Sequence, residues 1–127
     1  MAFIDCDDWW PEEKLAAYAD KHKEGHDLVF SSYYIVSYSA NKIIKRIKVP
    51  SKFSYTDLKY SNQIPLSSAS FNFIKIPNKR FKDSQNAEDW IFWLHNIKHL
   101  ETPSAFRRAL CFIVGMTKIS QKINLKC

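Results

Sequence analysis

The sequence predicts a mixed α/β domain. Segments rich in β-branched and aromatic residues alternate along the chain with segments whose apolar residues recur at helical spacing. The 127 residues suit one hydrophobic core, and 46% of them are hydrophobic, which gives ample apolar surface to bury. With two glycines and five prolines, the chain has no flexible linker. We therefore expect a single domain spanning residues 1–127.

The first predicted elements are a strand end, a helix and a hairpin. The apolar residues 2–4 fit the end of a buried strand. A helix follows, because Pro11 suits a first turn and Gly25 can end the helix. Strand patterns at residues 28–38 and 42–49, with turn residues between them, predict a β-hairpin. Four residues share one side of the helix: Leu15, Tyr18, Ala19 and His22.

Four more elements are predicted beyond the hairpin. Residues 54–60 fit a short helix capped by Ser54, and residues 65–76 fit a strand that Pro77 ends. Residues 88–100 form a longer helix, which Ser84 or Asn86 can cap. Residues 109–115 are either a closing strand or a buried helix. The apolar stripe of the longer helix consists of Trp90, Trp93, Ile97 and Leu100.

Charge is segregated along the sequence. Residues 1–27 hold eight acidic residues against three lysines, whereas residues 28–127 hold sixteen Lys and Arg against five acids, a net charge of +11. A basic body attracts polyanions such as nucleic acid, an anionic membrane or a phosphorylated substrate, although a solvated basic face is an alternative. The N-terminus has no basic n-region, and the longest apolar run, residues 109–116, is too short to span a bilayer. We expect a cytoplasmic chain.

Two acidic motifs are candidates for chemistry. Asp5, Asp7 and Asp8 follow the predicted strand end, where open α/β sheets bind ligands and where hard cations find oxygen ligands. The alternative is an acidic helix entry. Glu88 and Asp89 open the longer helix, where Asp89 could act as a general base or could simply favour the helix N-terminus. The sequence lacks the GxSxG, GxGxxG and P-loop motifs.

Basic residues interleaved with aromatic rings support a second interpretation. Such patterns can bind phosphates and stack bases, although no recognised nucleic-acid-binding signature accompanies them. In this interpretation the chain is a non-catalytic basic protein that binds nucleic acid or an anionic surface. The residues concerned are Lys42, Arg46, Lys48, Lys79, Arg80 and Lys82.

Four stretches, in order along the chain, resemble family-2 glycosyltransferases of the GT-A fold. That family often shows an apolar strand followed by Asp-x-Asp-Asp, Leu-Trp and Lys-Leu, and then a strand with an aspartate, apolar residues and Ser-Ser-Tyr. An Asn-x-Ile with serines and a Glu-Asp-aromatic-x-x-Trp-Leu signature follow. The matching residues are Phe3, Ile4, Asp5, Asp7, Asp8, Trp9, Trp10, Lys14 and Leu15; Asp27, Leu28, Val29, Phe30, Ser31, Ser32 and Tyr33; Asn62, Ile64, Ser67 and Ser68; and Glu88, Asp89, Trp90, Trp93 and Leu94.

The resemblance implies inverting transfer of a sugar from a nucleotide-sugar donor, in the synthesis of a polysaccharide or lipid-linked glycan. Asp5 and Asp7 would meet the donor diphosphate and its Mn²⁺ or Mg²⁺, with Asp8 close by. Asp89 would be the general base that deprotonates the acceptor hydroxyl.

The acceptor would be a glycan or a lipid-linked glycan. The resemblance places Glu88, Trp90 and Trp93 on the acceptor side, although the helical stripe puts at least one of the tryptophans in the core. The basic faces could hold such an enzyme against the inner face of a cell membrane, where lipid-linked acceptors lie.

Two departures from the family qualify these expectations. Family members carry a Rossmann-like N-terminal half before the Asp-x-Asp strand, whereas this sequence begins at that strand. We therefore expect the C-terminal half of a glycosyltransferase domain, a partial GT-A fold with a mixed sheet and flanking helices, which alone has little or no activity. A tyrosine-arginine pair common in the closing strand is replaced by Phe112 and Ile113.

Overall fold

The computed structural model describes residues 1–37, 39, 41–52, 55–77, 79–81 and 88–115. Within these ranges the chain is a mixed α/β structure in which helices flank a four-stranded sheet. The helices are α1 (Lys14–Lys23), α2 (Tyr55–Tyr60) and α3 (Glu88–Asn96), and the strands are β1 (Leu28–Ser37), β2 (Lys42–Ile47), β3 (Ala69–Phe71) and β4 (Pro103–Gly115). Single turns of 3₁₀ helix lie at Leu66–Ser68, Phe73–Lys75 and Ile97–His99.

Strand β1 is the centre of the sheet. It pairs with β4 in parallel along its length, and with β3 and β2 in antiparallel at its two ends. Leu28 pairs with both β3 and β4, and Tyr34 with both β2 and β4, so β4 lies on one side of β1 while β2 and β3 share the other. The first five residues of β1 are all buried, which is typical of a strand covered on both faces.

Strand β4 contains an irregularity at Arg107 and Arg108. Ser31 pairs with Phe106 and the next residue, Ser32, pairs with Ala109. The two intervening residues, Arg107 and Arg108, therefore lie outside the regular ladder, as in a β-bulge that redirects side chains.

The main core lies between β1, β3 and α3. Trp93 is fully buried there, and its indole N–H donates to the Ile64 carbonyl at 2.8 Å. The Trp93 ring meets Phe71 edge to face, with ring centroids 5.6 Å apart. A smaller cluster under α1 joins Tyr18, Val29 and Leu110.

Several sequence predictions are confirmed. The hairpin forms from β1 and β2, and residues 55–60 form the predicted helix, while its predicted cap, Ser54, lies outside the described residues. The stripe of α3 and the turn after it is buried at Trp93, Ile97 and Leu100. Helix α1 ends before Gly25, whose φ of 102° suits glycine. The predicted caps Ser84 and Asn86 also lie outside the described residues.

Three other predictions are wrong. Residues 2–4 form no strand, since only Ala2 makes a bridge there and Ile4 is exposed. Helix α1 buries Lys14 and Tyr18, whereas Leu15 is 58% exposed. The predicted strand at residues 65–76 shrinks to β3 between two 3₁₀ turns.

The turns around β3 have a local cause. Ser68 Oγ donates to the Pro65 carbonyl at 2.7 Å, and Asn72 Oδ1 accepts from the Ile74 N–H at 3.2 Å. Such bonds from short polar side chains compete with the strand ladder and favour turns. No helix in the described part of the chain is long and apolar enough to cross a bilayer.

Candidate functional site

The acidic loop, residues 5–8, is a tight turn held against the sheet. The Asp8 N–H donates to the Asp5 carbonyl at 3.0 Å. Directly after the turn, Trp9 and Phe112 exchange two backbone hydrogen bonds, of 3.1 and 2.9 Å, and their rings stack with centroids 5.2 Å apart. The loop is thereby fixed to strand β4 on its C-terminal side.

Ser67 connects the acidic loop to the turn before β3. Its hydroxyl donates to Asp8 Oδ2 at 2.6 Å and accepts from the Asp5 N–H at 3.0 Å. The second oxygen of Asp8, Oδ1, accepts from the Val114 N–H at 3.1 Å. Both carboxylate oxygens of Asp8 therefore have protein donors, which orients this carboxylate.

The carbonyl oxygen of Ser67 is the second anchor of the site. It accepts from the Trp10 indole N–H at 2.7 Å, from Lys14 Nζ at 2.6 Å and from the Cys111 thiol at 3.3 Å. Lys14 is fully buried, and its ammonium lies 4.4 Å from the centre of the Trp10 ring and 5.0 Å from that of Tyr18. The buried ammonium of Lys14 thus holds Ser67, which in turn bonds to the acidic loop.

Burial and mutual repulsion disfavour ionisation of Asp5 and Asp8. Burial raises the pKa of Asp8 to about 6, although the hydrogen bonds from Ser67 and Val114 act in the opposite direction. The pKa of Asp5 is also raised, first by burial and then by the negative charge of Asp7.

Asp89, the predicted general base, lies at the start of α3 and is half-buried. Its Oδ2 accepts from Asn62 Nδ2 at 3.1 Å, and its Oδ1 accepts from the Trp90 N–H at 2.8 Å. Asn62 in turn accepts from the Ile64 N–H at 3.3 Å, which fixes the amide. The carboxylate is therefore oriented by partners from two segments of the chain.

The two acidic motifs, about eighty residues apart in sequence, lie within electrostatic range of each other. The negative charges of Asp89 and Glu88 both contribute to the raised pKa of Asp5, together with that of Asp7. Charges that far apart in sequence perturb one another only when the fold brings them close. Four acids thus share one electrostatic neighbourhood, and among the described residues none of them forms an ion pair.

The two tryptophans of α3 differ in burial. Trp90 is half-buried and its indole N–H donates to the Leu58 carbonyl at 2.6 Å. Trp93 is fully buried, which confirms that at least one of the two belongs to the core. Any effect of Trp93 on an acceptor would act through the residues that it supports, whereas Trp90 keeps some exposed surface.

In the described ranges, no group of three or more His, Cys, Asp or Glu side chains is arranged to hold a metal ion. Asp5 and Asp7 remain two adjacent carboxylates in a region of excess negative charge. This donor set suits a cation that is shared with phosphates, since Mg²⁺ is usually bound through one or two carboxylates plus substrate oxygens.

The six basic residues predicted to bind anions have different surroundings. Lys42 and Arg46 lie on β2 and Lys48 follows it. Lys79 donates to the carbonyls of Phe73 and Ile76, at 3.1 and 2.6 Å. Arg80 is exposed, and Lys82 lies outside the described residues.

Sequence reasoning missed the supporting residues of the site. Ser67 and Asn62 were noted only as matches to a family pattern, yet they orient Asp8 and Asp89. The available signal was the Asn-x-Ile segment with its serines, which matched the family pattern. Cys111 and Arg107 carried no signal in the sequence.

No protein-family model matches the chain, and no curated protein matches it. The function therefore rests on the residues and their geometry.

Proposed function

We propose that the chain is part of a sugar transferase of the family-2 type, with the GT-A arrangement, which uses a nucleotide-sugar donor and a glycan or lipid-linked acceptor. The observation that supports this proposal is the shared electrostatic neighbourhood of Asp5, Asp7, Glu88 and Asp89. Donor binding and acceptor deprotonation both need carboxylates at one site, and the two acidic motifs supply them from distant segments of the chain.

The acidic loop is the proposed donor side. Asp5 and Asp7 would contribute oxygen ligands to Mn²⁺ or Mg²⁺, which when bound would neutralise charge on the leaving diphosphate. Asp8 is held by Ser67 and by the backbone of Val114, so its role is to fix the turn and to add negative charge beside the ligands. The buried ammonium of Lys14 holds the Ser67 carbonyl and keeps this turn in place.

Asp89 is the proposed base. Its carboxylate accepts from the Asn62 amide and from the Trp90 N–H, which leaves lone pairs on both oxygens for an acceptor hydroxyl.

The test is a calorimetric titration of the purified chain with UDP in the presence of Mn²⁺. We expect UDP binding that requires the metal and is lost in Asp7→Ala. The matched control is Asp20→Ala, which removes an exposed aspartate on α1 whose nearest cation, Lys23, is 4.0 Å away. Equal UDP binding in Asp7→Ala and Asp20→Ala, or no metal-dependent binding at millimolar UDP, would contradict the proposal.

A further inference from the structure

An open basic cleft lies between strand β2 and the irregular part of β4. Its volume is about 770 Å³. We define it by five of its lining residues: Tyr33, Arg46, Lys48, Asn62 and Arg107. Tyr33 comes from β1, Arg46 from β2 and Arg107 from the bulge of β4, so the cleft crosses the sheet from one side of β1 to the other.

The described lining of the cleft is positively charged. Arg46, Lys48 and Arg107 are cations, and none of the other described residues that line the cleft is an aspartate or a glutamate. Among the described residues none of the three cations forms an ion pair, whereas the neighbouring Arg108 pairs with Glu13 at 3.5 Å. Cations gathered in a concave surface focus the electric field and attract anions.

A backbone carbonyl of β4 positions one of these cations, Arg46. The Arg46 guanidinium donates to the carbonyl of Arg107 at 3.0 Å, a group that the bulge leaves outside the ladder. The bond draws Arg46 across β1 towards Arg107 and leaves further N–H donors of its guanidinium for a ligand. The guanidinium group is planar and can donate two parallel hydrogen bonds to one phosphate group.

One residue of the cleft, Asn62, contacts the proposed base. Asn62 lines the cleft, and its amide donates to Asp89 at 3.1 Å. A ligand bound to Arg46, Lys48 and Arg107 would therefore extend towards the residue that we assign to deprotonation of the acceptor.

We propose that the basic cleft binds the phosphate group of a phosphorylated acceptor, so that the acceptor hydroxyl is held beside Asp89. This assignment rests on the proposed function, because it names the chemical class of the acceptor. The phosphate belongs either to a soluble phosphorylated glycan or to the headgroup of a lipid carrier.

The experiment measures binding of inorganic pyrophosphate by calorimetry in metal-free buffer containing a chelator. Without metal, the acidic loop repels the probe and cannot imitate the cleft. We expect Arg46→Gln, Lys48→Gln and Arg107→Gln each to weaken binding about tenfold, the loss typical of one charge-assisted hydrogen bond.

Two matched controls lie beside the cleft. Lys45→Gln removes an exposed charge from β2 at the position next to Arg46, and Arg108→Gln removes one from β4 next to Arg107. Neither residue lines the cleft, so binding should change less than twofold in both. All five substitutions are at exposed positions, and circular dichroism checks that each variant is folded.

A second arm distinguishes the two sources of the phosphate. Sedimentation with phosphatidylcholine vesicles that contain phosphatidic acid is compared with sedimentation with phosphatidylcholine alone. Capture that requires phosphatidic acid and falls in Arg107→Gln supports the proposal with a lipid carrier as the source. Pyrophosphate binding without capture supports it with a soluble acceptor.

Three results would overturn the proposal. They are the absence of pyrophosphate binding, an equal loss in the control variants, and much tighter binding of a single-stranded oligonucleotide with the same dependence on Arg107. The last result would assign the cleft to nucleic acid. The donor titration with Mn²⁺ and UDP depends on Asp7 and is independent of these outcomes. The two experiments therefore distinguish failure of the phosphate-binding proposal from failure of the transferase proposal.

Discussion

Replacing Lys14 by methionine removes a buried positive charge while keeping most of the side-chain volume. Lys14 is fully buried, and its ammonium donates to the Ser67 carbonyl at 2.6 Å between the rings of Trp10 and Tyr18. Burial lowers the pKa of Lys14 from 10.5 to about 8, against the opposing effects of Cys111 and Asp8. The ammonium is therefore held at a net cost in free energy.

The size of this cost follows from the change in pKa. Each pKa unit corresponds to about 1.4 kcal/mol, so the fall from 10.5 to about 8 disfavours the charged form by about 3 kcal/mol. In Lys14→Met the Ser67 carbonyl keeps its donors Trp10 and Cys111. We expect Lys14→Met to raise the free energy of unfolding by about 1–3 kcal/mol at neutral pH. Lys14→Ala should be about 2 kcal/mol less stable than Lys14→Met, because it leaves a cavity.

The pH dependence has a definite sign. The lowered pKa of Lys14 means that the unfolded chain holds this proton more tightly than the folded chain between about pH 8 and pH 10.5. The stability of the natural chain therefore gains from Lys14 as pH rises through that window. This gain is absent in Lys14→Met, so the difference between the two proteins should narrow by about 1 kcal/mol from pH 7 to pH 9.

The assay is urea unfolding followed by tryptophan fluorescence at these two pH values. Burial raises the pKa of Cys111 from its ordinary value of 9.0 to about 11. Both proteins therefore lose stability as pH rises above 9.0. That loss largely cancels in the difference. The reasoning is refuted if Lys14→Met is less stable than the natural chain at neutral pH, or if the difference does not change with pH.

Three further predictions concern the acidic loop and the core. Metal-dependent UDP binding should weaken as pH falls through about 6, because the raised pKa of Asp8 brings protonation of this carboxylate into that range. Calorimetry at several pH values measures this dependence. UDP binding that persists unchanged at pH 5 would contradict the prediction. Ser67→Ala removes a bond that lowers the pKa of Asp8, so the midpoint of that pH dependence should move upwards and the free energy of unfolding should fall by about 1–3 kcal/mol. The control Ser68→Ala, which breaks a bond to a backbone carbonyl only, should leave the midpoint in place. Trp93→Ala should lower the free energy of unfolding in urea by about 3–5 kcal/mol, and Trp90→Ala should lower it by less, since Trp90 is only half-buried. Equal losses of stability in the two variants would show that burial does not determine what each tryptophan contributes.

Local patterns predicted the elements whose cause is local. The hairpin of β1 and β2 follows from β-branched and aromatic runs on either side of turn residues, and α3 follows from its apolar stripe. The end of α1 follows from Gly25, which tolerates the positive φ that the turn needs. These features depend on residues within a few positions of one another.

Local patterns failed where distant partners decide. The helical spacing placed Leu15 on one side of helix α1 with Tyr18, yet the helix buries Lys14 beside Tyr18, because the Ser67 carbonyl and the Trp10 ring receive its ammonium. Hydropathy alone places a lysine outside. The strand expected at residues 65–76 is interrupted because Ser68 and Asn72 bond to the backbone nearby.

The sequence by itself determined which residues could do chemistry: the carboxylates of the acidic loop, the Glu88 and Asp89 pair, and the basic character of the remaining chain. Only the tertiary structure decided that the two acidic motifs share one neighbourhood and that Arg46 and Arg107 meet in one cleft beside Asn62. The physical reason is that side-chain identity fixes charge and hydrogen-bonding capacity, whereas proximity between distant residues follows from strand pairing and burial, which no short stretch of sequence encodes.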